Sequence, residues 1–171
     1  MALRCSPLNK ALGIKSIQAM KSEWLRFESQ LADWMKSFQS NKLQFTNGYQ
    51  AIPGFPSDGF RADGLLTDGK VVVALEVEVK QTHPDTNVGK FWLLNQYKTY
   101  EKVVLFHVYT PEYTSYPWRL KLGEFYAEKM SEELPFEYHL LDLRDAISIE
   151  SAFEQTVRVI QQEISSEFGA S

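Results

Sequence analysis

Apolar residues at Ile17, Met20, Trp24, Phe27, Leu31, Trp34 and Phe38 alternate steps of three and four. That repeat keeps one face of a helix apolar and predicts an amphipathic helix through "IQAMKSEWLRFESQLADWMKSF". "SNKLQFTNG" closes it with Asn and Gly. "GYQAIPGFPSDG" carries two prolines and three glycines, so it reads as a short strand followed by a loop. In "FRADGLLTDGKVVVALEVEVK" two apolar runs flank Asp68-Gly69, a strong short-range signal for a β-hairpin. "HPDTNVGKFWLLNQYKTYE" reads as a helix, with Asp85 or Thr86 as N-cap after Pro84. "KVVLFHVYTP" is a buried strand. "PWRLKLGEFYAEKMSEEL" is a helix despite Gly123, "FEYHLLDL" a strand, and "IESAFEQTVRVIQQEISSEF" a closing amphipathic helix. The order is α-β-β-β-α-β-α-β-α. A hairpin-built sheet extended by helical crossovers is mixed, with helices on both faces, so the fold class is α/β.

Composition narrows the picture. With 171 residues, the chain suits one domain over 1–171 with a proper core. The sole cysteine, Cys5, excludes an intramolecular disulfide. No apolar run reaches the length of a membrane span, and "MALRCSPLNKALGIKS" lacks the apolar stretch of a signal peptide. The expectation is a cytoplasmic protein without membrane contact. The net charge of -4 lacks the basic excess of a dedicated nucleic-acid binder. An enzyme that gathers carboxylates around a cation can nevertheless be acidic overall.

The second strand of the hairpin carries Glu76, Glu78 and Lys80 on alternate positions of an apolar run. A two-residue turn at Asp68-Gly69 would pair Thr67 with Lys70, Asp63 with Ala74 and Arg61 with Glu76. Side chains alternate with period two, so Asp63 would share a face with Glu76, Glu78 and Lys80. Carboxylates gathered in a cleft are costly unless a cation neutralises them. A hard divalent ion such as Mg²⁺ is often held by only two carboxylates plus substrate phosphate. A lysine beside them can hold a phosphate or help activate water. The bland alternative is the wet face of an edge strand.

An Asp on one strand and (Asp/Glu)-x-Lys on the next, within this element order, resembles the PD-(D/E)XK nuclease superfamily, the restriction-endonuclease-like fold. Asp63 matches the first acid and Glu78-Val79-Lys80 the signature, over a resemblance that spans roughly residues 17 to 110. Ala62 stands where the family's nominal Pro would be. The tripeptide alone says little, because average usage yields roughly one per chain of this length. The other instance, Asp68-Gly69-Lys70, falls in the turn. Placement on a buried strand, in register with Asp63, gives the match its weight.

The resemblance implies an α-β-β-β-α-β core, here with a C-terminal α-β-α extension. It also implies a Mg²⁺- or Mn²⁺-dependent nuclease with DNA as substrate and, for two-strand cleavage, a homodimer. Two assignments stay open. In the leading one, Asp63 and Glu78 bind metal, with a backbone carbonyl near Val79, and Lys80 is the signature lysine. In the other, Asp63 and Glu76 bind metal, Glu78 replaces the lysine in a Glu-x-Glu variant, and Lys90 supplies the ammonium from the following helix. An accessory acid from the first helix is Glu28 or Glu23, with Glu28 favoured. His83, His107 and His139 show no zinc spacing; His83 reads as a loop residue, and His107 and His139 each read as a core or sheet-edge residue. The four tryptophans read as core. The rival functions are an idle binding or assembly subunit of the same fold, an RNA nuclease, and another phosphoesterase.

Overall fold

The computed structural model describes residues 23–47, 49–50, 60–97, 100–114 and 116–169. Helix α1 covers 23–36 and buries Trp24, Phe27 and Leu31 of the expected stripe together with Met35, while Trp34 is only part-buried and Phe38 falls in the turn after the helix. Ile17 and Met20 of the expected helix, and Cys5, lie outside the described residues. The strands are β1 (Gln44–Thr46), β2 (Tyr49–Gln50), β3 (Phe60–Arg61), β4 (Gly64–Thr67), β5 (Val71–Glu78), β6 (Lys102–Tyr109) and β7 (Phe136–Asp142). Helices α2 (Pro84–Tyr97), α3 (Pro117–Glu133) and α4 (Ile149–Phe168) complete the fold.

Five strands form one sheet in the order β1-β4-β5-β6-β7, and β2 and β3 form a separate ribbon. β4 runs antiparallel to both of its neighbours, β1 and β5. β5, β6 and β7 run parallel, joined through α2 and α3. Along the main sheet the chain therefore reads α-β-β-β-α-β-α-β-α, a mixed α/β architecture. The sequence puts no strand in "SNKLQFTNG", where β1 forms; the short strand expected in "GYQAIPGFPSDG" is β2, whose pairing with β3 in a separate ribbon it does not announce.

Alternation on β5 splits the core in two. Val73, Leu75, Val77 and Val79 pack with α1 residues and with Ala152, Ile160 and Ile164 of α4. Val72 and Ala74 pack with Val88, Phe91 and Leu94 of α2 and with Ala127 and Met130 of α3. Glu76 and Glu78 continue the second set, toward α2 and α3. Ser148 caps α4 by accepting from the Ser151 amide, and left-handed Gly169 ends it. Among the described residues no helix is long and apolar enough to cross a membrane.

The hairpin register differs from the expected one. Thr67 pairs with Val72, Leu65 with Ala74 and Gly64 with Leu75, a displacement of two residues. Side chains hold the wider turn. Asp68 Oδ1 accepts from the Lys70 and Val71 amides, Thr67 Oγ1 donates to the Val71 carbonyl, and Gly69 takes a left-handed φ of 94°. A shift of two preserves which face each β5 residue occupies.

Two further expectations change. Helix α2 starts at Pro84 itself, whose lost N–H is harmless in a first turn. Thr86 donates to the His83 carbonyl through both N and Oγ1 rather than capping. Asp85 instead lies buried against Arg119, with Nη1 3.0 Å from both carboxylate oxygens, and ties α2 to α3. Trp118 is not core: it is half exposed, with the Arg119 guanidinium 4.3 Å from its ring centroid.

Candidate functional site

β5 is the central strand of the sheet, so Glu76 and Glu78 do not form the wet face of an edge. Glu76 is 2% exposed and Glu78 0%. Buried carboxylates need partners, and each has specific ones. Lys90 Nζ of α2 lies 2.6 Å from Glu76 Oε1. This is a charge contact without hydrogen-bond alignment, since that oxygen accepts no aligned bond. Aligned bonds run from the ammonium to the Arg61 carbonyl (2.6 Å) and to Asn87 Oδ1 (3.2 Å). Glu78 Oε1 accepts from Asn87 Nδ2 and lies within hydrogen-bond reach of His107 Nε2, both at 2.7 Å. Glu78 Oε2 is buried without a hydrogen-bond partner.

Asp63 lies in the bend before β4, where strand alternation does not set its direction. Its Oδ2 accepts from the Val77 amide at 2.8 Å, just beyond the last β4–β5 pair. The carboxylate thus stands in for the ladder acceptor that β4 no longer supplies. Asp63 also lines a cleft of about 270 Å³ with Glu28, Ser29, Ala32, Asp33, Asn47 and Arg61. Glu76 and Glu78 lie outside that lining, buried behind it.

The electrostatics tie these groups together. Burial foremost, then Asp63, pushes the Glu28 carboxyl up to about 7, with Arg61 opposing and Glu78 adding to the rise. Burial also raises Asp63 above its ordinary value, against the Val77 amide and Lys90. Glu76 is raised well above its ordinary range, by burial first, with Asp63 and Glu78 reinforcing it and Lys90 opposing. Burial is the leading cause in all three, and Lys90 opposes the rise at Asp63 and Glu76.

The structure therefore brings Asp63, Glu76, Glu78, Lys90 and Glu28 into one electrostatic cluster. It leaves two of the sequence-derived residues apart. After Glu78 the chain bends, with the Val79 and Lys80 amides both donating to Gln81 Oε1, so Lys80 leaves the strand alternation. Lys80 is exposed and makes no ion pair among the described residues. Glu23 is exposed and lines a different cavity, with Trp24, Arg26 and Ile147.

Asn87, His107 and Tyr138 are residues that sequence reasoning missed. Asn87 lies one helical turn before Lys90, a spacing that marks a shared face. His107 was read as core, which it is, but it also holds Glu78. Its link to Glu78 follows from the parallel register, which pairs Glu76 with His107 and which no motif announces. His139 stacks on Phe106 on edge strand β7, as expected of a sheet-edge histidine.

The donors suit a hard cation. Glu78 Oε2 is a buried oxygen without a hydrogen-bond partner among the described residues, Asp63 reaches the cleft, and Glu76 Oε1 is already met by Lys90 Nζ at 2.6 Å. The cluster is not a closed three-ligand cage. Among the described residues, the only three metal-capable side chains with ligating atoms all within 4.8 Å are Glu137, His139 and Glu163, on another face. There Lys102 already lies 2.7 Å from Glu137 and 3.4 Å from Glu163.

Fold and site together define a mixed α/β protein whose central strand carries buried acids at the carboxyl end of its parallel run. Comparison found no family model that matches this chain, no similar curated protein and no similar solved structure.

Proposed function

We propose that the chain is a metal-dependent nuclease of the PD-(D/E)XK type that hydrolyses phosphodiester bonds in DNA. The observation that carries this reading is the burial of Glu76 and Glu78 on the central strand, with Glu76 coupled to Asp63 and paired with the part-buried Lys90 ammonium. Such an arrangement is unfavourable for stability alone and is the kind of perturbed cluster that marks functional sites.

The geometry favours the Glu-x-Glu assignment. Asp63 and Glu76 would hold Mg²⁺ or Mn²⁺, with Glu28 as accessory acid at the cleft. When bound, the cation acts as a Lewis acid toward the phosphodiester. Lys90 supplies the charge that offsets the developing negative charge at phosphorus. Glu78 offers Oε2 as the atom that takes the proton of the attacking water. Lys80, exposed at the bend, is left as a substrate contact.

The test is incubation with linear, circular and single-stranded DNA, RNA and a small phosphodiester, in Mg²⁺, Mn²⁺ or EDTA. Cleavage of DNA with either metal, none with EDTA, and none by Asp63→Asn or Glu76→Gln is the expected result. Cleavage confined to RNA or to the small diester would reassign the substrate. No cleavage of anything under any metal favours a second reading, an idle binding or assembly subunit of the same fold. One observation speaks for that reading: Lys90 already lies against Glu76, where a cation would act.

A further inference from the structure

We propose that His107, backed by Tyr138, is the positioning residue that fixes Glu78 with Oε1 engaged and Oε2 free. This rests on the nuclease reading for the role of Glu78, and on hydrogen-bond geometry for the hold itself. His107 and Glu78 are both fully buried, so water does not compete for their bonds. Glu78 Oε1 accepts from Asn87 Nδ2, and the proposal makes His107 Nε2, 2.7 Å away, its second donor. His107 Nδ1 is then the acceptor on the other side of the ring, and the Tyr138 hydroxyl lies 3.0 Å from it. Burial, with Glu124 and Glu78 nearby, raises the Tyr138 phenol above its ordinary value, so it keeps the proton it donates.

The proposed chain of bonds runs from Tyr138 O–H to His107 Nδ1, and from His107 Nε2–H to Glu78 Oε1. Asn87 completes it from the other side. Its Nδ2 donates to the same Oε1, while its Oδ1 accepts from Lys90. Two donors converge on one oxygen of Glu78 and none on the other. A carboxylate so clamped cannot rotate to exchange its oxygens, and it presents one atom to the reaction. This is the arrangement by which outer groups orient a metal-site carboxylate, where their loss typically costs about 10–100-fold in metal affinity or activity.

The experiment has two parts. Long-range ¹H–¹⁵N spectra of histidine-labelled protein read the tautomer of His107, with no metal or substrate needed. The expected state is Nε2–H, with Tyr138→Phe lowering its population. DNA cleavage in Mn²⁺ then compares His107→Gln, which keeps a donor, with His107→Leu, which does not. The expected result is a near-native rate for Gln and a loss of about 10–100-fold for Leu, at matched thermal stability and unchanged Mn²⁺ affinity. If His107→Leu fails to fold, Tyr138→Phe carries the comparison through a weaker fall in the cleavage rate.

An Nδ1–H tautomer overturns the proposal whatever the metal does. Equal cleavage rates for wild type, His107→Leu and Tyr138→Phe, while Asp63→Asn is inactive, also overturn it. No cleavage by the wild type under any metal, with the Nε2–H tautomer present, overturns the nuclease reading and upholds the hold of His107 on Glu78.

Discussion

Lys90→Ala should lower the rate of DNA cleavage by about 10²–10³, the usual loss when a transition-state charge contact is removed. Lys80→Ala should be mild. The difference is one of reach. Lys90 Nζ lies 2.6 Å from Glu76 and acts electrostatically on Asp63, whereas Lys80 is exposed at a bend without an ion pair among the described residues. In metal affinity, Glu76→Gln should cost more than Glu78→Gln. Lys90→Ala also leaves Glu76 buried without its ammonium, so the rate must be read on protein shown to be folded. The reverse pattern, with Lys80→Ala inactive and Lys90→Ala unaffected, restores the Glu78-Val79-Lys80 assignment. Small, equal effects in an active enzyme remove both lysines from the chemistry.

The metal-free protein should lose stability as pH rises from about 4.5 to about 7, and a divalent cation should remove that loss. The sign follows from the carboxyl groups. Glu28 binds its proton up to about 7 in the folded state, against an ordinary 4.5, and Asp63 and Glu76 are raised as well. A group held more tightly protonated when folded contributes its stability in full below the unfolded value. That contribution disappears as pH climbs through the folded value. Mn²⁺ bound only to the native state adds about 2.7 kcal/mol at a hundredfold excess over Kd. For a chain of this size that is about 5–10 °C in Tm. Asp63→Asn should abolish the Mn²⁺ gain, and Glu28→Gln should flatten the pH slope. A Tm that is level from pH 4.5 to 8 and indifferent to Mn²⁺ would remove the basis for a cation site.

Much of this fold is legible in the sequence because burial imposes period. The α1 stripe from Trp24 to Met35 and the alternation on β5 follow from which side chains must leave water. The two-residue error in hairpin register has a local cause. Asp68 and Thr67 satisfy the turn's backbone with their side chains, and no apolar pattern reports that. Asp63 comes to Glu76 through its bond to the Val77 amide from the bend before β4, and not through the strand parity from which the sequence argument placed it. Lys80 was misleading because a strand's alternation was carried past Glu78, while Gln81 ends the strand by capturing two amides. His107 and Tyr138 were illegible as partners of Glu78, since parallel pairing across helical crossovers leaves no local trace.

The bond between Asp63 and the Val77 amide has a consequence for observing the site. Most β5 amides are locked by neighbouring strands and exchange with solvent only when the sheet opens. The acceptor for Val77 is a side chain able to swing toward a cation. Its deuterium uptake therefore reports the orientation of one carboxylate, amid a strand that otherwise reports the stability of the whole domain.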